Sequence, residues 1–230
     1  ERILGAILFK DTMLKEINNL PTAIYLWEKL QIVPFLKIDQ GLRSSENQAR
    51  LLKPINDLKT SLELAKKNKV FGTKMRSLIN GANNIGIKDL VDQQFDIGEE
   101  ILSFGLLPII EPEVDITIPD KREAEDMLYN NIKRRLDRIE SGKKVILKLS
   151  LPEQDNFYEP LMQHPNILRI VALSGGFEKK IAVNKLKQNK KMIASFSRAL
   201  TEGLKSDTPK QEFEEQLDRT VQSIYEASLS

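Results

Sequence analysis

Lys148 stands in the middle of the most hydrophobic short run of the chain, Val145-Ile146-Leu147-Lys148-Leu149. A strand this apolar belongs in a parallel sheet covered by helices. Desolvation there disfavours the charged ammonium and lowers its pKa, which turns a lysine into a nucleophilic amine near neutral pH. The plainer reading is an edge strand whose lysine snorkels to water. Other apolar runs weigh against it, because they too end in ionisable residues: Val33 to Asp39, Val70 to Arg76, and Leu106 to Val114. Strand side chains alternate between faces. Lys37 and Asp39 therefore share a face, as do Lys74 with Arg76, Glu111 with Glu113, and Ile146 with Lys148 and Ser150. Pairs placed late in several strands predict one polar site at the carboxyl ends of a parallel sheet.

Two further segments suit an anion. Leu173-Ser174-Gly175-Gly176 carries paired glycines, which let backbone N–H groups approach a phosphate closely. Ser195-Phe196-Ser197-Arg198 offers hydroxyls and a guanidinium. Alone, Ser-Gly-Gly is more often a plain turn, but these segments end the last two strand candidates, where barrel enzymes often hold phosphate. The chemistry implied is carbonyl chemistry on a phosphorylated substrate. Neutral Lys148 would attack a ketone to give a carbinolamine and then an iminium, an electron sink that lets the adjacent carbon–carbon bond break without a metal. Lys74 would help keep Lys148 neutral by like-charge repulsion, and Glu111 would shuttle protons. The single histidine, His164 before Pro165, reads as a loop residue, so no histidine cluster is available for zinc.

The elements that must position these groups alternate between strand-like and helix-like, the pattern of βα repeats. Strand candidates begin at Ile3, Val33, Val70, Leu106, Val145, Ile167 and Met192. Between them lie a helix from Thr22 to Leu30, stripes at Leu58, Leu62 and Ala65 and at Ile87, Leu90, Val91, Gly98, Ile101 and Leu102, and a charged helix from Lys121 to Ile139. Gly105 suits a helix stop. Short helices are expected at Tyr158 to Gln163 and Ile181 to Leu186, and a closing helix carries Phe213, Leu217, Val221 and Ile224. Tyr25, Trp27 and Tyr225 read as packing residues.

Such tandem units predict a (β/α)₈ barrel short of one strand. The alternative is a doubly wound open sheet, although no Gly-x-Gly-x-x-Gly marks the first turn. The chain has 230 residues and a net charge of +2, so it calls for no nucleic acid or other polyelectrolyte partner. The Lys185 to Lys191 stretch reads as a solvated helix end. The absence of cysteine fits a reducing cytoplasm, and no apolar run has the length of a membrane span.

Ile7-Leu8-Phe9, Leu107-Pro108-Ile109-Ile110-Glu111-Pro112-Glu113, Leu147-Lys148, Leu173-Ser174-Gly175-Gly176 and Arg198-Ala199-Leu200 occur in this order. In these segments the chain resembles the class I fructose-bisphosphate aldolases, in their shorter bacterial form, from end to end. The resemblance implies cleavage of fructose 1,6-bisphosphate to dihydroxyacetone phosphate and glyceraldehyde 3-phosphate, no cofactor beyond a covalent Schiff base through Lys148, and a homo-oligomer. It also implies Glu111 as acid/base, Glu113 as its supporting carboxylate, and Lys74 near the cleaved bond. Lys37 and Arg76 fall around the second phosphate. Ser174, Gly175, Gly176, Ser195, Ser197 and Arg198 fall around the ketose phosphate, with Ser197 where vertebrate members have glycine. The family's first strand, which carries a catalytic aspartate, has no match. The expectation is therefore a single barrel domain, 1–230, that starts at the family's second strand, leaves edges unpaired at Ile3 and Met192, and forms a Schiff base with little turnover. Another Schiff-base lyase or transaldolase would share the lysine, and a non-catalytic binding protein would share everything but activity.

Overall fold

A computed structural model describes residues 2–205 and 207–230. The chain opens with β1 (Gly5–Leu8), the short α1 (Lys10–Met13), and an antiparallel hairpin of β2 (Glu16–Ile17) and β3 (Leu20–Pro21). Then follow α2 (Thr22–Leu30), β4 (Val33–Lys37), β5 (Ala49–Arg50), α3 (Leu58–Lys67), β6 (Gly72–Ile79) and α4 (Asn84–Ser103). After these come β7 (Leu107–Val114), α5 (Lys121–Leu136), β8 (Val145–Ser150), a 3₁₀ turn (Glu159–Gln163) and β9 (Ile167–Leu173). The chain closes with α6 (Lys179–Lys187), β10 (Ile193–Ala194), α7 (Arg198–Thr201) and α8 (Lys210–Ala227).

Seven strands pair in the order β1-β4-β6-β7-β8-β9-β10, each parallel to the next, and β5 adds antiparallel to β6. A doubly wound sheet reverses its strand order at a switch point; here the order follows the sequence throughout. Parallel crossovers share one hand, so sequential steps place all the helices on one face and curl the sheet away from them. Among the described residues β1 and β10 do not pair with each other, and the barrel is open there.

Two apolar layers result. The larger lies between sheet and helices and joins Leu8 near one end of the chain to Ala227 near the other. It takes in Leu62 and Leu90 from the predicted helical stripes, together with Leu128, Ile132 and Leu186. The smaller is a separate cluster of Phe35, Ile109, Ile146 and Val171, edged by Ile7 and Ile193, on the concave face. Gly72 makes room for it: a Cβ there would lie 2.1 Å from the Leu107 carbonyl oxygen and 3.0 Å from the Phe35 ring.

Several boundaries move from their predicted places. The strand expected to begin at Met192 contracts to Ile193–Ala194, held by one neighbour among the described residues. The helix expected to reach Ile139 ends at Leu136, and Trp27, read as packing, is half exposed. The hairpin strands, α1, β5 and α7 had no periodic signal because each is four residues or shorter.

Asp92 on α4 ties that helix to α5. Its carboxylate meets Arg134, Arg135 at 3.2 Å and Lys88 at 2.9 Å. Burial pushes this carboxyl up, but hydrogen bonds from Arg134, Lys88 and Arg135 outweigh it and bring the pKa down from 3.8 to about 2. A depressed carboxyl contributes stability that is present above its unfolded pKa and lost as pH falls through the folded one. Asp92→Asn should therefore cost about 2 kcal/mol at pH 7, with the deficit shrinking from about pH 5 and largely gone only below about pH 2. Urea unfolding of both proteins across this range checks it, and a pH-independent deficit would refute the linkage.

Candidate active site

Lys148 lies on β8, which is flanked by β7 and β9 and is no edge strand. Its side chain is 10% exposed, so snorkelling to open water is ruled out. The register Ile109↔Ile146 sets Glu111 beside Lys148 two residues further on. Their charged ends are 3.4 Å apart. Lys74, on β6, brings its Nζ to 2.9 Å from the other oxygen of Glu111. Arg76 pairs with Glu113 in the same way. Both contacts run diagonally to the register, which sets Lys74 opposite Ile109 and Arg76 opposite Glu111. Tilted strands in a curled sheet produce such an offset.

Three of the charged groups stand two residues above an apolar one: Lys37 above Phe35, Glu111 above Ile109, Lys148 above Ile146. The concave face is thus an apolar floor under a charged layer. Burial is the main cause that lowers the Lys148 pKa; Glu111 opposes it, and the charge of Lys74 adds to the lowering. The result is a lysine that releases its proton more readily than one in water.

Gln94 carried no recognised sequence signal, and Asp39 and Ser150 were noted only as sharing a face with a lysine. Gln94 on α4 is fully buried, and its side-chain oxygen accepts from the Glu111 N–H at 2.9 Å. Its amide nitrogen donates to the Glu111 carbonyl at 3.0 Å and to Ser77 at 2.8 Å. This fixes the backbone that carries Glu111 from the helix side. The available hint was a polar residue on the apolar stripe between Val91 and Gly98. Asp39, just beyond β4, was paired with Lys37 by alternation but given no role. It accepts from Lys37 at 2.6 Å and lies 3.7 Å from Lys74. Ser150 bridges β8 to β7, accepting from Val114 N–H at 3.0 Å and donating to its carbonyl at 2.7 Å.

The anion candidates form a second group. Ser174 is buried, and the turn closes through Phe177 N–H to the Ser174 carbonyl at 2.9 Å. Gly175 has φ +62° and a Cβ there would lie 2.8 Å from Ile116, so glycine is required on two counts. A Cβ on Gly176 would lie 3.7 Å from an Arg198 guanidinium nitrogen, so Arg198 overhangs the turn. Ser195 is half-buried and Ser197 exposed next to it. Lys37 is not free in the same sense, being engaged by Asp39 and placed over the Phe9 ring at 5.7 Å. A cavity of about 490 Å³ opens beside it, lined by Phe9, Lys10, Lys37, Asp39 and Asp57. A larger one of about 560 Å³ lies at the opposite end of the strands, around Trp27, Phe71 and Leu107, and holds none of these groups.

No family model matches the chain. A Synechocystis protein named fructose-bisphosphate aldolase class 1 is 50% identical over 230 residues, covering 100% of this chain and 77% of the relative. The chain belongs to the class 1 fructose-bisphosphate aldolases. A Clostridium acetobutylicum protein of the same name is 50% identical over 228 residues, again covering 77% of the relative. Among solved structures, the fructose-bisphosphate aldolase of Plasmodium falciparum, in complex with TRAP and a small molecule inhibitor, superposes with a TM-score of 0.79 at 17% identity. That match covers 99% of this chain and 78% of the other, and it shows the fold. The open parallel sheet is a (β/α)₈ barrel with part of the barrel outside this chain. No helix among the described residues is long and apolar enough to cross a membrane.

In this aldolase, Lys74→Met should raise the apparent pKa of Lys148. The substitution removes a like charge and leaves Glu111 to Lys148 alone, and both effects favour the ammonium. The pH dependence of Lys148 labelling by trinitrobenzenesulfonate, read by peptide mapping, gives the midpoint. An unchanged or lower midpoint would show that the charge of Lys74 does not reach Lys148.

Proposed function

We propose that Lys148 is the amine that forms the Schiff base in the aldolase reaction, the cleavage of fructose 1,6-bisphosphate to dihydroxyacetone phosphate and glyceraldehyde 3-phosphate. The observation that carries this is a lysine enclosed above an apolar floor, in contact with one carboxylate and facing a second lysine. Neutral Lys148 adds to the C2 ketone, and Glu111 supplies the proton with which the carbinolamine hydroxyl leaves as water. The Glu111 carboxylate left by that step takes the C4 hydroxyl proton, and the C3–C4 electrons move towards the iminium nitrogen. The aldehyde departs and an enamine remains. Protonation at C3 and hydrolysis return the lysine and the ketose phosphate.

Lys74 keeps Lys148 from holding its proton, and Glu113 orients Arg76 towards the second phosphate, with Lys37 beside it. Ser174, Gly175, Gly176 and Arg198, with Ser195 and Ser197, cradle the phosphate of the Schiff-base half. The same reading makes the chain one barrel domain over 1–230, supported by the apolar cluster that links Leu8 to Ala227. It also makes the protein a cytoplasmic homo-oligomer; the absence of cysteine supports the compartment.

Borohydride reduction in the presence of dihydroxyacetone phosphate should place the label on Lys148. Label on Lys74 or Lys37 would move the nucleophile. Arg198→Ala should raise KM and weaken inhibition by inorganic phosphate about tenfold or more without changing the melting temperature. Equal inhibition of both proteins would misplace the cradle. Activity should also survive EDTA, and loss restored by zinc would overturn the Schiff-base route.

A further inference from the structure

Asp39 has a side chain 5% exposed, and its two oxygens differ. Oδ1 accepts from Lys37 at 2.6 Å, whereas Oδ2 is buried without a hydrogen-bond donor. An unpaired carboxylate oxygen away from water is costly unless a charge faces it. The charge facing it is Lys74, at 3.7 Å, which is too far for a hydrogen bond but not for an ion pair. Lys74 sits on β6 between β4 and β7, with Asp39 on one side and Glu111 on the other.

Glu111 is the proton carrier of the proposed mechanism, so its charge changes during each turnover. A lysine held by Glu111 alone would lose its partner whenever Glu111 took up a proton. We propose that Asp39 is a positioning residue that keeps the Lys74 ammonium charged and in place while Glu111 exchanges its proton. Lys37, Lys74 and Arg76 all lie on the Asp39 side of the site, on β4 and β6, whereas Glu111, Glu113 and Lys148 lie on β7 and β8. Lys37 then serves as the second cation of Asp39 as well as a neighbour of substrate. The inference rests on the proposed roles of Lys148 and Glu111.

A double-mutant cycle on the full-length protein tests it, with Asp39→Asn, Lys74→Met and the pair assayed for fructose 1,6-bisphosphate cleavage. Asp39→Asn should lower kcat by about tenfold to a hundredfold with KM within about twofold, as misplacement of one reacting group does. In the Lys74→Met background it should cost nothing further. Equal losses in both backgrounds, or a loss confined to KM, would overturn the proposal. If Asp39→Asn alone does not fold, the pair removes one charge of each sign and takes its place. It should then match Lys74→Met alone, and a pair much less active than that variant would overturn the proposal. Borohydride trapping on the unaltered protein separates the two levels. Failure to label Lys148 sinks the site reading, whereas labelling together with additive losses sinks only the role of Asp39.

Discussion

Glu111 lies between two lysine ammonium groups, 3.4 Å from Lys148 and 2.9 Å from Lys74, on a face largely closed to water. Charges at such separations interact far more strongly where the local dielectric is low. The surrounding layer contains Lys37, Lys74, Arg76 and Lys148 against Asp39, Glu111 and Glu113. With every group ionised the layer carries one positive charge too many. Within this layer Lys148 is the member whose pKa burial lowers. The lowered pKa of Lys148 thus follows from burial first, with the charge of Lys74 adding to it and Glu111 opposing it.

The fold exists to keep that space confined. Helices on the convex face bury the outer sides of β6, β7 and β8, while Phe35, Ile109, Ile146 and Val171 seal the concave face below the charged layer. Gln94 reaches through from α4 and holds both backbone polar groups of Glu111, so the carboxylate is positioned by the same helix that supplies the outer core. At the far side of the sheet the Ser174–Gly176 turn follows β9, and Arg198, which begins α7 after β10, overhangs it.

Much of this was legible from residues alone. A lysine inside an apolar run and acids two residues apart are local signals, because strand alternation is a property of the backbone and does not depend on what the strand pairs with. The lengths and order of most elements were legible for the same reason, as with the helix Thr22–Leu30 and the strand Ile167–Leu173. Short pieces such as β5 and α7 were not, since their hydrogen bonds come from partners distant in sequence or from one turn of backbone.

By itself the sequence determined which residues share a face, which strands are apolar enough to be buried, and that Lys148 would be desolvated. Only the tertiary structure decided which charge meets which. Lys74 lies opposite Ile109 in the ladder yet touches Glu111, and Arg76 lies opposite Glu111 yet touches Glu113. Strand tilt in the curled sheet shifts each contact by one pleat, and no linear pattern encodes that tilt. Asp39 was visible as a partner for Lys37, but its second oxygen found Lys74 because β4 and β6 are neighbours. Alternation along a strand is fixed by covalent geometry, whereas contact between strands depends on how the whole sheet bends around its core.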